Sequence, residues 1–244
     1  MNDALEWIKP LIISPPFGSR LPSSKNYTRV VGSYTWQKRP GWLMQVARTV
    51  RPTAKGGWVN KIGLRNPGIR NITFRPDRIY SVVGFTDNEW LDIAHYLDHL
   101  SRRWIGRFAV ELNLSCPNTE DYVISDRALN LICSRMPIIA KLPPTAAADI
   151  LAERCMEAGV MKLHLSNTLP HPNGGESGPE LFRVNLPIVQ RMAKRYPGKI
   201  IAGGGVYDPS YYYVYKEAGA WRVSVASVLF TPWKFPAIVR AANK

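Results

Sequence analysis

Residues 137–166, PIIAKLPPTAAADILAERCMEAGVMKLHLS, contain one complete strand–helix–strand unit. Pro137–Leu142 is a short run, apolar on both faces and closed by two prolines, which suits a strand covered on each side. Thr145 then caps a helical pattern from Ala146 to Ala158, Gly159 stops it, and a second short run follows at Met161–Ser166. Two like-directed strands joined through a helix are a βα crossover, so the sheet is parallel.

The same grammar extends in both directions. Further apolar runs lie at Leu11–Ser14, Arg29–Ser33, Ile79–Gly84, Phe108–Leu114, Lys199–Gly203 and Trp221–Ala226. Thr86-Asp87-Asn88-Glu89 opens a helix with Trp90, Ile93, Leu97 and Leu100 on one face, while Asp208-Pro209 starts another that Gly219 ends. Eight strands with interleaved helices predict an α/β chain folded as a (β/α)₈ TIM barrel, with residues 1–244 as a single domain. Two units break the rhythm. Too few residues separate the first two strands for a full helix, so the first βα unit is stunted. A long excursion after strand 2, from Tyr34 to Arg78, is rich in Trp, Gly, Pro and Arg and shows no clear helix; such an insertion is suited to forming a wall or lid over a site.

Composition excludes several classes. With 244 residues, 45% hydrophobic and 20% charged, the chain can bury a full core and is not disordered, collagenous or coiled coil. Its apolar runs are far shorter than the roughly 20 residues that cross a bilayer, so no transmembrane segment is expected. The start, MNDALEWIKP, does not read as a secretory signal, and three cysteines make no disulfide framework, which together predict a cytoplasmic protein. The net charge of +14 attracts anions. Its basic residues are scattered, the densest groups being Arg102-Arg103 and Arg191 with Lys194-Arg195, so a solvated surface is the favoured reading and a nucleic-acid surface the alternative.

The chemistry concentrates in Glu111-Leu112-Asn113-Leu114-Ser115-Cys116-Pro117-Asn118-Thr119, at the C-terminal end of the fourth strand, where barrel enzymes place reacting groups. Two carboxamides flank a thiol there. Asparagine offers both a donor and an acceptor, which suits a flat ligand with alternating N–H and C=O edges. Cysteine becomes a base or nucleophile only where its pKa is lowered, and a buried core thiol is the plain alternative; Cys133 and Cys155 fall in helical patterns and are assigned to the core. Gly203-Gly204-Gly205 after strand seven lets backbone N–H groups approach an anion, and Ser227 after strand eight adds a hydroxyl at the usual phosphate position of barrels. Lys141 ends strand five. His95 and His99 suit a helix surface, His164 suits the barrel interior with a polar contact, and His171 lies in a loop. No Cys-x-x-Cys or His-Glu-x-x-His spacing occurs, so no metal is expected.

Asn113-Leu114-Ser115-Cys116-Pro117-Asn118 resembles the active-site signature of dihydroorotate dehydrogenases, specifically the class 1 type with a cysteine base. Lys141-Leu142-Pro143-Pro144, Ser166-Asn167-Thr168, Gly174-Gly175-Glu176-Ser177-Gly178, Ile200–Val206 and Asn60-Lys61-Ile62-Gly63-Leu64 resemble further motifs of that family in the same order. The resemblance implies FMN-dependent oxidation of (S)-dihydroorotate to orotate in pyrimidine synthesis. It implies Cys116 as the catalytic base; Asn60, Asn113, Asn118, Asn167 and Thr168 on the substrate; and Ser33, Lys141, Gly175, Gly178, Gly204, Gly205, Ala226 and Ser227 on the cofactor. It further implies a soluble electron acceptor such as fumarate and a homodimer.

Three segments depart from the family pattern. Val31-Gly32-Ser33-Tyr34-Thr35 lacks the lysine that class 1 members carry after strand two, Gly41–Arg48 replaces an arginine-bearing loop, and Ala226-Ser227 stands where Gly-Thr is usual. Alternatives on the same barrel are a flavoprotein acting on another dihydropyrimidine or on dihydrouridine in transfer RNA, and a non-catalytic descendant binding nucleic acid or a protein partner.

Overall fold

The computed structural model describes residues 4–103, 108–114, 124–145 and 147–244. Eight parallel strands close a barrel in sequence order: β1 (Leu11–Ile13), β2 (Thr28–Thr35), β3 (Arg78–Val83), β4 (Phe108–Asn113), β5 (Ile138–Leu142), β6 (Lys162–Leu165), β7 (Ile200–Gly203) and β8 (Arg222–Val225). Closure comes from β1, which pairs with β8 through Leu11↔Val223 and Ile13↔Val225 and with β2 through Ile12↔Thr28. Each strand falls inside or within a residue or two of the run read from the sequence.

Alternation along the strands divides the side chains into two cores. Leu11, Ile13, Val31, Tyr80, Val110, Leu112, Ile138, Leu163 and Val223 face outward and join Trp90, Ile93 and Leu97 of the surrounding helices. Ile12, Val30, Ile79, Ala109, Ile139 and Ile201 face inward and meet Leu5 and Ile8, which plug the N-terminal end. Above that apolar plug the inward positions turn polar, with Ser81, Glu111, His164 and Ser224 all at 1% exposure or less. Barrel interiors are ordinarily packed with branched aliphatics.

The helices are α1 (Trp42–Thr49), α2 (Asp87–Arg103), α3 (Asp126–Cys133), α4 (Ala147–Glu157), α5 (Glu180–Arg195), α6 (Pro209–Glu217) and α7 (Phe235–Ala242). Their starts follow local chemistry. Thr86 Oγ1 accepts from the Glu89 N–H at 3.2 Å while Glu89 Oε2 accepts from the Phe85 N–H at 2.7 Å, a reciprocal cap on α2. Asp208 accepts from the Ser210 N–H ahead of α6. Between β1 and β2 there is only the single turn Phe17–Ser19, so the first unit is stunted as its length demands.

The excursion after β2 is more ordered than its composition suggests. It contains α1, which buries no residue, and the strands Arg51–Pro52 and Trp58–Asn60. Arg51–Pro52 pairs with Trp58–Asn60, which pairs with Gly174–Ser177 and through it with Leu169–His171 from the loop after β6, giving a second, antiparallel four-stranded sheet over the C-terminal mouth of the barrel. The expectation of an excursion without a helix is therefore corrected. A helix with no buried face carries little sequence signal, and the sheet depends on a pairing between distant loops.

Candidate active site

The C-terminal ends of the strands and the antiparallel lid enclose one cavity of about 210 Å³. The lid rests on the barrel through aromatic contact, with the Trp58 and Phe230 rings stacked at 4.3 Å.

At one end of the cavity a chain of polar side chains is held in place. Asn167 Nδ2 donates to Asn113 Oδ1 at 3.4 Å, Asn113 Nδ2 donates to Ser33 Oγ at 3.0 Å, and Ser33 Oγ lies 2.8 Å from Ser81 Oγ. The Asn167 Oδ1 accepts from the Thr168 N–H at 2.9 Å. Asn113 thus orients both its neighbours while being only 6% exposed. Asn60 reaches the cavity from the lid, and Lys141, at the end of β5, reaches it from the barrel.

At the other end lie Gly204, Gly205, Ala226 and Ser227, from the loops after β7 and β8. Gly204 and Gly205 have φ of +87° and +73°, a backbone conformation that favours glycine. Neither can be replaced without displacement: a Cβ on Gly204 would meet Leu181 at 2.7 Å, and one on Gly205 would meet the Phe182 backbone nitrogen at 2.4 Å. Asn185, fully buried in α5, fixes this region by donating from Nδ2 to the Leu165 carbonyl at 2.6 Å and the Gly203 carbonyl at 2.7 Å.

Sequence reasoning and structure agree in part. Ser33, Asn60, Asn113, Lys141, Asn167, Thr168, Gly204, Gly205, Ala226 and Ser227 all line the cavity. Gly175 lies in the lid sheet and Gly178 directly follows it; a Cβ on Gly175 would meet Thr168 Oγ1 at 2.3 Å and one on Gly178 would meet Gly57 Cα at 2.4 Å, so both stand at close chain approaches. Cys116 and Asn118 lie outside the described residues. Cys133 and Cys155 are packed in the helical layer, and burial pushes both thiols up to about 12, which leaves them inert. His171 Nδ1 accepts from the Asn173 N–H and serves a turn.

Arg65 was missed. It lines the cavity from the lid, and its Nε is buried with no hydrogen-bond partner among the described residues. It and Lys141 are the charged side chains of the described lining. The one available signal was its place just after the Asn60–Leu64 motif.

The arrangement invites comparison with known proteins. Over 209 residues, covering 72% of this chain and 68% of the relative, it is 32% identical to the catalytic subunit of dihydroorotate dehydrogenase B (NAD(+)) of Petrotoga mobilis. The Thermotoga petrophila protein of the same description is also 32% identical, over 76% of each chain. The chain belongs to the dihydroorotate dehydrogenase family. A putative dihydroorotate dehydrogenase A (fumarate) of Aeropyrum pernix shares 28% identity over 83% of this chain and 74% of its own. The fold of this family member matches the ligand-free dihydroorotate dehydrogenase of Eimeria tenella with a TM-score of 0.73, over 96% of this chain and 82% of that one, at 19% identity. No family model matches. Among the described residues no helix is long and apolar enough to cross a membrane, and no group of three His, Cys, Asp or Glu could hold a metal.

The site fits a flavin mononucleotide in its donor set. Gly204, Gly205, Ala226 and Ser227 line its phosphate end in the barrel's usual place for an anion, while Ser33, Asn113 and Lys141 supply polar groups for a ring edge.

Proposed function

We propose that this family member oxidises (S)-dihydroorotate to orotate, a step of pyrimidine biosynthesis, with FMN as cofactor. The observation that carries the reading is the convergence of Asn60, Asn113, Asn167, Thr168 and Lys141 on one lidded cavity at the C-terminal end of a barrel of this family.

A dihydropyrimidine ring alternates N–H and C=O groups along its edge, and the carboxamides supply matching acceptors and donors. The Asn167–Asn113–Ser33 hydrogen bonds fix those carboxamides before substrate arrives, which lowers the entropy cost of binding. The substrate carboxylate calls for a cation, and Arg65 is available on the lid side.

When bound, the flavin supplies the two-electron acceptor for the C6 hydride. Gly204, Gly205, Ala226 and Ser227 would hold its phosphate, and Ser33, Asn113 and Lys141 its ring, with Lys141 placing positive charge beside that ring. Cys116 is assigned as the base that takes the C5 proton, and Asn118 as a further substrate ligand. A soluble species then reoxidises the cofactor; relatives are named for NAD(+) and for fumarate.

The visible spectrum tests this. Purified protein should show flavin absorbance, and anaerobic dihydroorotate should bleach it within the turnover time. A yellow protein left unbleached by millimolar dihydroorotate would overturn the substrate assignment. One that takes up no FMN on reconstitution would overturn the cofactor.

A further inference from the structure

A second cleft opens at the opposite, N-terminal end of the barrel, with a volume of about 760 Å³. Lys9, Lys25, Arg29, Arg75, Arg78 and Arg222 line it, against the acidic residues Glu6 and Asp77. Glu6 is already engaged with Arg222 at 3.5 Å. Arg222 is further tied down by donating to the Ile8 carbonyl and lying over the Trp221 ring. The remaining positive charge centres on β2 and β3.

Arg29 and Arg78 are register partners in adjacent parallel strands, so their side chains stand side by side on one face, roughly 5 Å apart at the backbone. Like charges in that position repel. Arg29 is nevertheless 7% exposed, and among the described residues its guanidinium donates to neutral groups, the Leu21 carbonyl and Ser23 Oγ. Burial, then the charges of Arg78 and Arg75, pull its pKa down, the signature of a cation short of counter-charge. Arg78 Nε is buried with no hydrogen-bond partner among the described residues. A buried donor left unsatisfied and a buried guanidinium facing two others are both costly, and a single group removes both costs.

We propose that this cleft is an anion site for a phosphate-bearing small molecule, its phosphoryl oxygens bridging Arg29 and Arg78 with Arg75 and Lys9 at the rim. A tetrahedral dianion offers more charged acceptor oxygens, pointing in more directions, to several guanidinium forks than a carboxylate does. The volume accommodates a ligand of nucleotide size, and Trp7 and Tyr27 give its wall an aromatic surface. The site is remote from the cavity at the C-terminal end and independent of the reaction assigned there.

Arginine Nε–Hε resonances of the ¹⁵N-arginine-labelled, FMN-treated protein read the site directly and locally. Inorganic phosphate should shift the Arg29 and Arg78 signals saturably, while sodium chloride at equal ionic strength should not. Arg78→Gln, which loses one charged donor, should raise the midpoint about tenfold. Arg75→Ala, on an exposed residue that leaves folding intact, should raise it several-fold. A nucleoside monophosphate run in parallel separates the sources: a lower midpoint than phosphate identifies a phosphate ester, an equal one identifies phosphate itself. Shifts that fail to saturate, that chloride reproduces, or that persist unchanged in Arg75→Ala would overturn the proposal.

Discussion

His164 Nδ1 lies 2.7 Å from Glu111 Oε2 inside the barrel, with both side chains 1% exposed, and His164 Nε2 lies 2.6 Å from Ser224 Oγ. The pair occupies the layer directly beneath Asn113 and Lys141, which are the next inward positions along β4 and the neighbouring β5. A polar floor thus underlies the site where aliphatic packing is the norm.

Removing one partner of this pair should be expensive. Burial is the largest influence on Glu111 and pushes its carboxyl up, but the charge and hydrogen bond of His164, with Lys141 adding to them, hold it below the ordinary 4.5. Glu111→Leu strands the imidazole and should cost about 3–5 kcal/mol. Glu111→Leu/His164→Leu removes both polar groups and should recover much of that loss, as urea denaturation of the double-mutant cycle would show. Equal losses in the single and double variants would refute the coupling.

The same pair sets an acid limit. Because the folded carboxyl titrates below its unfolded value, its stabilising contribution is complete above about pH 4.5 and disappears as pH falls through the folded value. The melting-temperature gap between wild type and Glu111→Gln should be constant at neutral pH and close below pH 4.5. A gap that widened on acidification would reverse the sign assigned to the interaction.

Two glycines with positive φ should respond differently to the same substitution. Gly41, at φ +94°, would place a Cβ in open space, so Gly41→Ala should cost only the backbone strain of roughly 1–2 kcal/mol. Gly205→Ala adds a Cβ 2.4 Å from the Phe182 nitrogen, which cannot move without shifting α5. It should destabilise more than Gly41→Ala in urea and weaken FMN binding at least about tenfold by fluorescence titration, since a loss near 1.4 kcal/mol already gives that factor. Matching stabilities and affinities in the two variants would remove Gly205 from the phosphate end.

These cases mark what the sequence discloses. The eight strands are legible because each is a short run with apolar residues on its outward face and is bounded by turn residues, and Gly159 and Gly219 do end helices with φ of +92° and +94°. The cavity residues at strand ends follow from strand position together with the family motifs that those ends resemble. What stays hidden depends on partners far away in the chain. Glu111 and His164 alternate correctly into the barrel, yet nothing local says that they meet. The lid sheet joins Trp58–Asn60 to Gly174–Ser177 and brings Gly178 against Gly57, so Gly175 and Gly178 look like ligand-loop glycines until that packing is known. Asn185 sits in an amphipathic helix pattern like any polar residue, although its side chain reaches the strand ends.

Arg65 should govern substrate affinity more than turnover. The contact proposed for it with the carboxylate would be made equally before and during the reaction, so Arg65→Gln should raise KM about tenfold or more with kcat little changed. Orotate binding, followed by calorimetry on the same variant, should weaken in parallel. A fall in kcat at unchanged KM would place the guanidinium elsewhere in the cycle.

Cys116 carries the proposed proton transfer, and its variants separate binding from chemistry. The phosphate and ring contacts assigned to FMN come from other residues, so Cys116→Ala should bind the cofactor normally while anaerobic flavin reduction by dihydroorotate slows by about 10²–10⁴-fold, the usual worth of a positioned base. Cys116→Ser keeps an oxygen in place, but an alcohol is a far weaker acid than a thiol of ordinary pKa about 8.5. Its residual rate should therefore climb with pH over a range where wild type has already levelled off. Stopped-flow reduction from pH 6 to 10 measures both effects, and a Cys116→Ala protein that bleached at the wild-type rate would transfer the role of base to another residue.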